Sequence, residues 1–158
     1  MVSIEWCLKQ RNGLEIIKPN KNMSESYLKM AEESINVLSK VSESNIWTAT
    51  TSYYIYYYSL YALMLRIGIK CEIHGCSIEF MKECLKELFN SDDIRSFEEA
   101  FSARIDLQYY SNRPVDEKII NNSSKNCKIF FIKTKNILST IREEQINSIR
   151  KKFTTKNK

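Results

Sequence analysis

NIWTATTSYYIYYYSLYALMLRI, residues 45–67, is the stretch that decides the fold, and it holds six of the nine tyrosines of the chain. It contains no Pro or Gly, is too long for one strand, and is followed by Gly68, a common helix stop. We therefore predict a central helix that is buried among others or shared between subunits, because it is apolar on nearly every side. A helical wheel leaves only a narrow strip to face water: Ser52, Ser59 and Arg66, with Ile55 and Ala62.

The rest of the chain predicts one all-α domain. At 158 residues it is large enough to bury a substantial core, and it has only three Gly and two Pro. Helical spacing of apolar residues recurs over most of the sequence, and the connections are short. These features favour an up-and-down bundle of four to five helices. We expect residues 1–150 to form the domain, with an N-terminal arm over 1–20 and a basic tail over 151–158. Further helices are predicted over 3–11, 23–42, 77–90, 92–112 and 115–150.

Charge and cysteine content narrow the class of protein. The formal net charge is +5, concentrated after residue 141, and we interpret this segment as a frayed, solvated C-terminus. The five cysteines are scattered and odd in number, so reduced thiols in a cytoplasmic protein are expected. No signal peptide is recognisable, and the apolar run 53–65 is too short and too rich in tyrosine to span a bilayer.

Arg104 is the most informative polar residue. On a helical wheel it borders the apolar stripe of its helix, with Gln108 one turn later on the same side, whereas Asp106 points away. A guanidinium at the edge of a core needs a carboxylate, a phosphate or several carbonyls as partner. Two interpretations remain open. Arg104 forms a structural pair with another helix, or it binds phosphate at a cleft or a two-fold interface.

Other residues suggest chemistry less specifically. His74, the sole histidine, is expected to cap backbone groups; as a general acid or base it would have only Glu72 or Glu79 to orient it. The tyrosines could stack nucleobases, although aromatics at helical spacing are more typical of a core or a dimer interface. A zinc site is disfavoured because no CxxC is present, so we expect buried free thiols, no metal and no cofactor. The ligands considered for zinc are Cys71, His74, Cys76 and Cys84.

Several segments, taken in order, carry a family resemblance: Trp6, NGL (12–14), IKPN (17–20), YLKMAEESINVL (27–38), TSYYIYYYSLYALMLRIGIK (51–70), His74 and ARIDLQYY (103–110). Over nearly the whole chain up to about residue 141, this order resembles the HEPN domain, and in particular small stand-alone prokaryotic members. The resemblance implies a helical bundle that pairs as a homodimer. It also implies a minimal nucleotidyltransferase as partner, in a toxin–antitoxin-like pair.

The resemblance further implies a site. Many HEPN domains are metal-independent ribonucleases that use an Arg followed, four to six residues later, by a His, brought together across the dimer. Arg104 matches the Arg, but Tyr109 occupies the position of the His, and Tyr110 follows it. Some members carry a tyrosine that the partner modifies, and that position is Ser111 here. With an ordinary pKa of about 10, a tyrosine is a poor base near neutral pH.

From these features we expect a protein that binds a nucleotide or RNA phosphate, with Arg104, Gln108, Tyr109 and Tyr110 as ligand-binding residues. The first alternative is a metal-independent ribonuclease toxin, with Arg104, Tyr109 and His74 as candidate catalytic residues. The second alternative is a non-catalytic scaffold for protein interactions. In a scaffold, Arg104 should be fully buried and paired with a carboxylate.

Overall fold

The computed structural model describes residues 2–156, apart from the side chain of Lys156. It confirms the all-α prediction: seven helices in this part of the chain form a bundle, joined by one short pair of strands. The helices are α1 (Ile4–Lys9), α2 (Lys21–Leu38), α3 (Asn45–Ile67), α4 (His74–Cys84), α5 (Ser91–Tyr109), α6 (Glu117–Thr140) and α7 (Glu143–Lys156). The antiparallel strands are β1 (Glu15–Ile16) and β2 (Ile69–Lys70).

Helix α3 is the centre of the bundle and has the bounds that the sequence predicts. Ser44 caps its N-terminus by accepting a hydrogen bond from the backbone N–H of Trp47. Gly68 ends it in the left-handed conformation, at φ 89°, where a residue without a Cβ is favoured. Helices α2, α5 and α6 pack around it. Within residues 2–156, no helix is both long enough and apolar enough to cross a membrane.

The predicted water-facing strip of α3 is wrong in most of its members. Ser52, Ser59, Ile55 and Ala62 are fully buried. Small side chains let neighbouring helices approach closely, and α2, α5 and α6 all pack against α3. The buried Ser59 hydroxyl donates a hydrogen bond to the carbonyl of Ile55 at 2.6 Å. The outward side of α3 is instead the stripe at Trp47, Thr51, Tyr54 and Tyr58, which is half-exposed or exposed.

The N-terminal arm is attached to the body by more than apolar contact. Strand β1 pairs with β2, with Glu15 opposite Lys70. A disulfide joins Cys7 of α1 to Cys76 in the first turn of α4. The expectation of reduced thiols is therefore wrong for these two residues, because folding brings together sulfurs that are 69 residues apart in sequence. It is confirmed for three buried cysteines that form no disulfide, namely Cys71, Cys84 and Cys127.

The predicted last helix is divided in two, since α6 ends at Thr140 and α7 begins at Glu143. Helix α7 continues through residues 151–156, which the sequence assigned to a solvated tail, and Phe153 is buried against Phe80. Residues 157–158 lie outside the described residues. Arg150 anchors this helix: its Nη1 donates to the carbonyls of three residues at distances of 2.9 to 3.0 Å, namely Ile17, Ile67 and Gly68.

Candidate functional site

Helix α5 positions Arg104. The helix begins at a capping box, in which Asn90 and Asp93 satisfy each other's backbone N–H groups. Its buried side follows the spacing of Phe97, Ala100 and Ala103, and the Phe97 ring stacks on Tyr56 of α3 at 5.1 Å. Arg104 follows on the edge of this buried side and is itself half-buried. The edge position predicted from the helical wheel is therefore correct.

The Arg104 guanidinium is surrounded by tyrosine rings. Its Cζ lies 5.0 Å from the ring centroid of Tyr53, 5.3 Å from that of Tyr54 and 5.9 Å from that of Tyr109. These separations are within the range of a cation–π interaction. Its Nε is buried and has no hydrogen-bond partner. In the described part of the chain, no carboxylate lies within ion-pair distance of Arg104. The cation is thus stabilised by rings and has no anionic partner within residues 2–156.

The structure brings His74 into the same cluster. It is the first residue of α4, after Ile73, whose side chain makes no cap. Its ring stacks on Tyr57 with centroids 4.1 Å apart, and its Nδ1 lies 2.5 Å from the Tyr53 hydroxyl. Tyr53 therefore contacts both Arg104, through its ring, and His74, through its hydroxyl. We call Tyr53, Tyr54, Tyr57, His74 and Arg104 the arginine–tyrosine cluster.

The protonation states of this cluster follow from its burial. Burial, and secondly the positive charge of Arg104, lower the pKa of His74 from 6.5 to about 4. Burial is also the main reason that the pKa of Tyr53 is raised far above its ordinary value. Both side chains are therefore neutral at pH 7. They share a hydrogen bond between the Tyr53 hydroxyl and Nδ1 of His74, in which the tautomer of the imidazole sets which group donates.

Of the other predicted site residues, Tyr109 contacts Arg104, whereas Tyr110 does not belong to this cluster. Tyr109 contacts Arg104 and is 66% exposed. Gln108 is half-buried on α5, one turn beyond Arg104. Tyr110 points to a different cation, since its ring lies 3.7 Å from Cζ of Arg113. Arg113 also pairs with Asp106 at 3.1 Å, which agrees with the prediction that Asp106 is not the partner of Arg104.

The residues considered for a zinc site do not assemble into one. Cys76 forms the disulfide with Cys7 and so cannot act as a thiolate ligand. The buried thiol of Cys71 donates to the carbonyl of Ile73 at 3.3 Å. Across residues 2–156, no three His, Cys, Asp or Glu side chains are grouped in a way that could hold a metal ion.

Sequence reasoning missed Tyr53, Tyr54 and Tyr57 as site residues and interpreted them as core or interface. The helical wheel does place Tyr53 and Tyr57 on one side of α3. It cannot show that His74, 21 residues after Tyr53, folds back onto that side. No known family model matches the chain, and no curated protein matches it either. The site must therefore be interpreted from its own geometry.

Proposed function

We propose that this protein binds the phosphate of a nucleotide or of RNA at the arginine–tyrosine cluster. One observation carries the proposal: Arg104 is a half-buried cation that is held by tyrosine rings and has no carboxylate partner within residues 2–156. A guanidinium presents five N–H donors in a fork that matches phosphate oxygens. A phosphate would supply both the counter-charge and the acceptors that this site lacks.

The surroundings of Arg104 suit an anion that enters from solvent. Tyr109 is exposed and Tyr54 is half-exposed, so the cluster lies at the surface of the bundle. The Tyr53 and His74 side chains beside Arg104 are neutral at pH 7, so they add no second charge. The scaffold alternative requires Arg104 to be fully buried and paired with a carboxylate, and the observed side chain satisfies neither condition.

A metal-independent ribonuclease is the second candidate, because His74 lies next to the Tyr53 ring that contacts Arg104. Proton transfer is most efficient when the pKa of the catalytic group is near the working pH. At a pKa of about 4, His74 is unprotonated at pH 7 and only weakly basic. Tyr53 retains its proton. These states suit binding better than acid–base catalysis, so we place phosphate binding first.

The resemblance to HEPN proteins adds two partners to the proposal, a second copy of the chain and a minimal nucleotidyltransferase. The outward aromatic stripe of α3 supports pairing, since Trp47 is 56% exposed and the stripe continues through Tyr54 beside Arg104. Sedimentation should then give a dimer, and Trp47→Lys should shift it to monomer. A wild-type monomer at micromolar concentration would argue against pairing. Co-purification with a nucleotidyltransferase encoded beside the chain would test the second partner.

Calorimetric titration tests phosphate binding directly, with ATP, other nucleotides and short RNAs as ligands. Arg104→Gln should weaken binding by about tenfold or more, because a hydrogen bond to a charged group contributes roughly 1.5–3 kcal/mol. Arg113→Gln is the matched control, since Arg113 already pairs with Asp106. The proposal fails if none of these ligands binds, or if Arg104→Gln binds as tightly as the wild type.

A further inference from the structure

Next to the arginine–tyrosine cluster lies an open pocket of about 370 Å³ that the proposed function does not use. Its walls are largely apolar and come from three parts of the chain. Val2 precedes α1, Ile73 precedes α4, Ile78 belongs to α4, and Phe101 belongs to α5. This volume lies in the range of small-molecule sites in proteins.

The pocket is close enough to Arg104 to share one ligand with it. Two residues that line it, Ile73 and Gly75, flank His74 in sequence. Phe101 and Arg104 are half-buried and lie one turn apart on the same helix, α5. A molecule with an anionic group at Arg104 can therefore extend along this side of α5 and place a flat apolar ring against Phe101.

The charged side chains that line the pocket are carboxylates. Glu79 and Glu98 line it, and Lys82 bridges them, with Nζ 3.6 Å from Oε2 of Glu79 and 3.0 Å from Oε1 of Glu98. Each bridge uses one carboxylate oxygen, and an ionised carboxylate has two oxygens that accept and none that donates. Such a rim selects a ring whose edge donates hydrogen bonds. Among nucleobases, guanine presents adjacent N1–H and N2–H donors that match one carboxylate.

We infer that this pocket holds the guanine base of a guanine nucleotide whose phosphate lies at Arg104. The inference rests on the proposed function and specifies its ligand. Its structural basis is the juxtaposition of an apolar pocket, two carboxylates and a cation that lacks an anionic partner. The base is held between Phe101 and Ile73, and the carboxylates distinguish guanine from adenine.

Calorimetry with GMP, AMP, ribose 5-phosphate, guanosine and inorganic phosphate separates the two parts of the site. GMP should bind about tenfold or more tightly than either AMP or ribose 5-phosphate, since the base adds apolar burial and charged hydrogen bonds. Glu98→Gln should reduce the preference for GMP over AMP. Glu99→Gln is the control, because Glu99 is a neighbour on α5 that does not line this pocket.

Gly75 offers a second and independent variant. A Cβ at this position would meet only Cγ2 of Val2, at 3.5 Å, so Gly75→Ala fits without a clash. Gly75→Leu would fill part of the pocket. It should weaken GMP and guanosine binding about tenfold and leave the affinity for ribose 5-phosphate unchanged, whereas Gly75→Ala should retain GMP binding. Circular dichroism would establish that both variants fold.

The outcomes distinguish this inference from the proposed function. Equal affinities for GMP and ribose 5-phosphate would overturn the base pocket and leave phosphate binding intact. Equal affinities for GMP and AMP would overturn the selection by carboxylates. If guanosine binds in a way that Gly75→Leu abolishes and Arg104→Gln does not, while inorganic phosphate shows no binding, the pocket is supported and the phosphate site fails. No binding of any compound would overturn both.

Discussion

His74 provides one sharp prediction, because it is the sole histidine and its signal in a proton NMR titration is unambiguous. The wild-type ring should titrate at a pKa of about 4 instead of 6.5, since burial and Arg104 both oppose the charged form. Arg104→Gln should raise the pKa of His74, but only part of the way to 6.5, because burial is the larger cause. Arg113→Gln should leave it unchanged, since Arg113 is not among the causes of the shift.

The same pKa predicts a change of stability with pH. Above pH 6.5 the histidine is neutral in both the folded and the unfolded chain and has no effect. As the pH falls from 6.5 to 4, the unfolded chain binds a proton that the folded protein excludes, so the free energy of unfolding decreases. The full pKa difference corresponds to about 3 kcal/mol. Solvent screening of a half-buried ring reduces this to about 2 kcal/mol.

Urea unfolding at a series of pH values measures this loss. His74→Gln should remove about 2 kcal/mol of the decrease between pH 6.5 and pH 4, because its side chain does not titrate. Carboxylates also titrate near pH 4 and change the free energy of unfolding there, but their contribution is the same in the wild type and in His74→Gln. A wild-type histidine that titrates near 6.5, or identical slopes in the wild type and His74→Gln, would refute the burial of His74 in the cluster.

Three further predictions concern stability and are measured by thermal unfolding. Cys7→Ser should lower the melting temperature by roughly 10 °C, because the disulfide to Cys76 closes a loop over 69 residues and contributes about 4 kcal/mol; a Cys127→Ser control retains the disulfide. Arg150→Met should cost about 2–3 kcal/mol, since three carbonyls lose a charged donor; an unchanged melting temperature would contradict the anchoring role. Gly68→Ala should lower the free energy of unfolding by about 3 kcal/mol, because the residue has a positive φ and the new Cβ would lie 2.2 Å from Nη1 of Arg150. The double variant with Arg150→Met should lose less stability than the sum of the two single variants.

The helices could be predicted where local signals are strong. The bounds of α3 follow from Ser44 and Gly68, which supply a cap and a left-handed stop within the sequence itself. The division between α6 and α7 has a weaker signal, since no Pro or Gly marks it. There the backbone N–H of Arg142 donates to Oε1 of Gln145, which is half of a capping box.

The candidate site could be predicted only in part, because its contacts join segments that are distant in sequence. Arg104 was recognisable from its position at the edge of an apolar stripe. The hydrogen bond of His74 to Tyr53 and the disulfide depend on how α4 folds back onto α3 and α1, which periodicity does not encode. The outward side of α3 was misassigned because a helical wheel scores polarity, whereas the exposed side depends on where the neighbouring helices pack.

The hydrogen bonds of Arg150 have a consequence for the order in which the chain can fold during synthesis. Its donors hold the carbonyl of Ile17, a residue 133 positions earlier in the chain. On a ribosome, the arm that contains Ile17 is made 133 residues before the side chain that secures it. The hydrogen bonds from Arg150 to the arm can therefore form only after α7 has been made. A nascent chain that stalls before Arg150 would leave the carbonyl of Ile67, at the end of α3, without this donor.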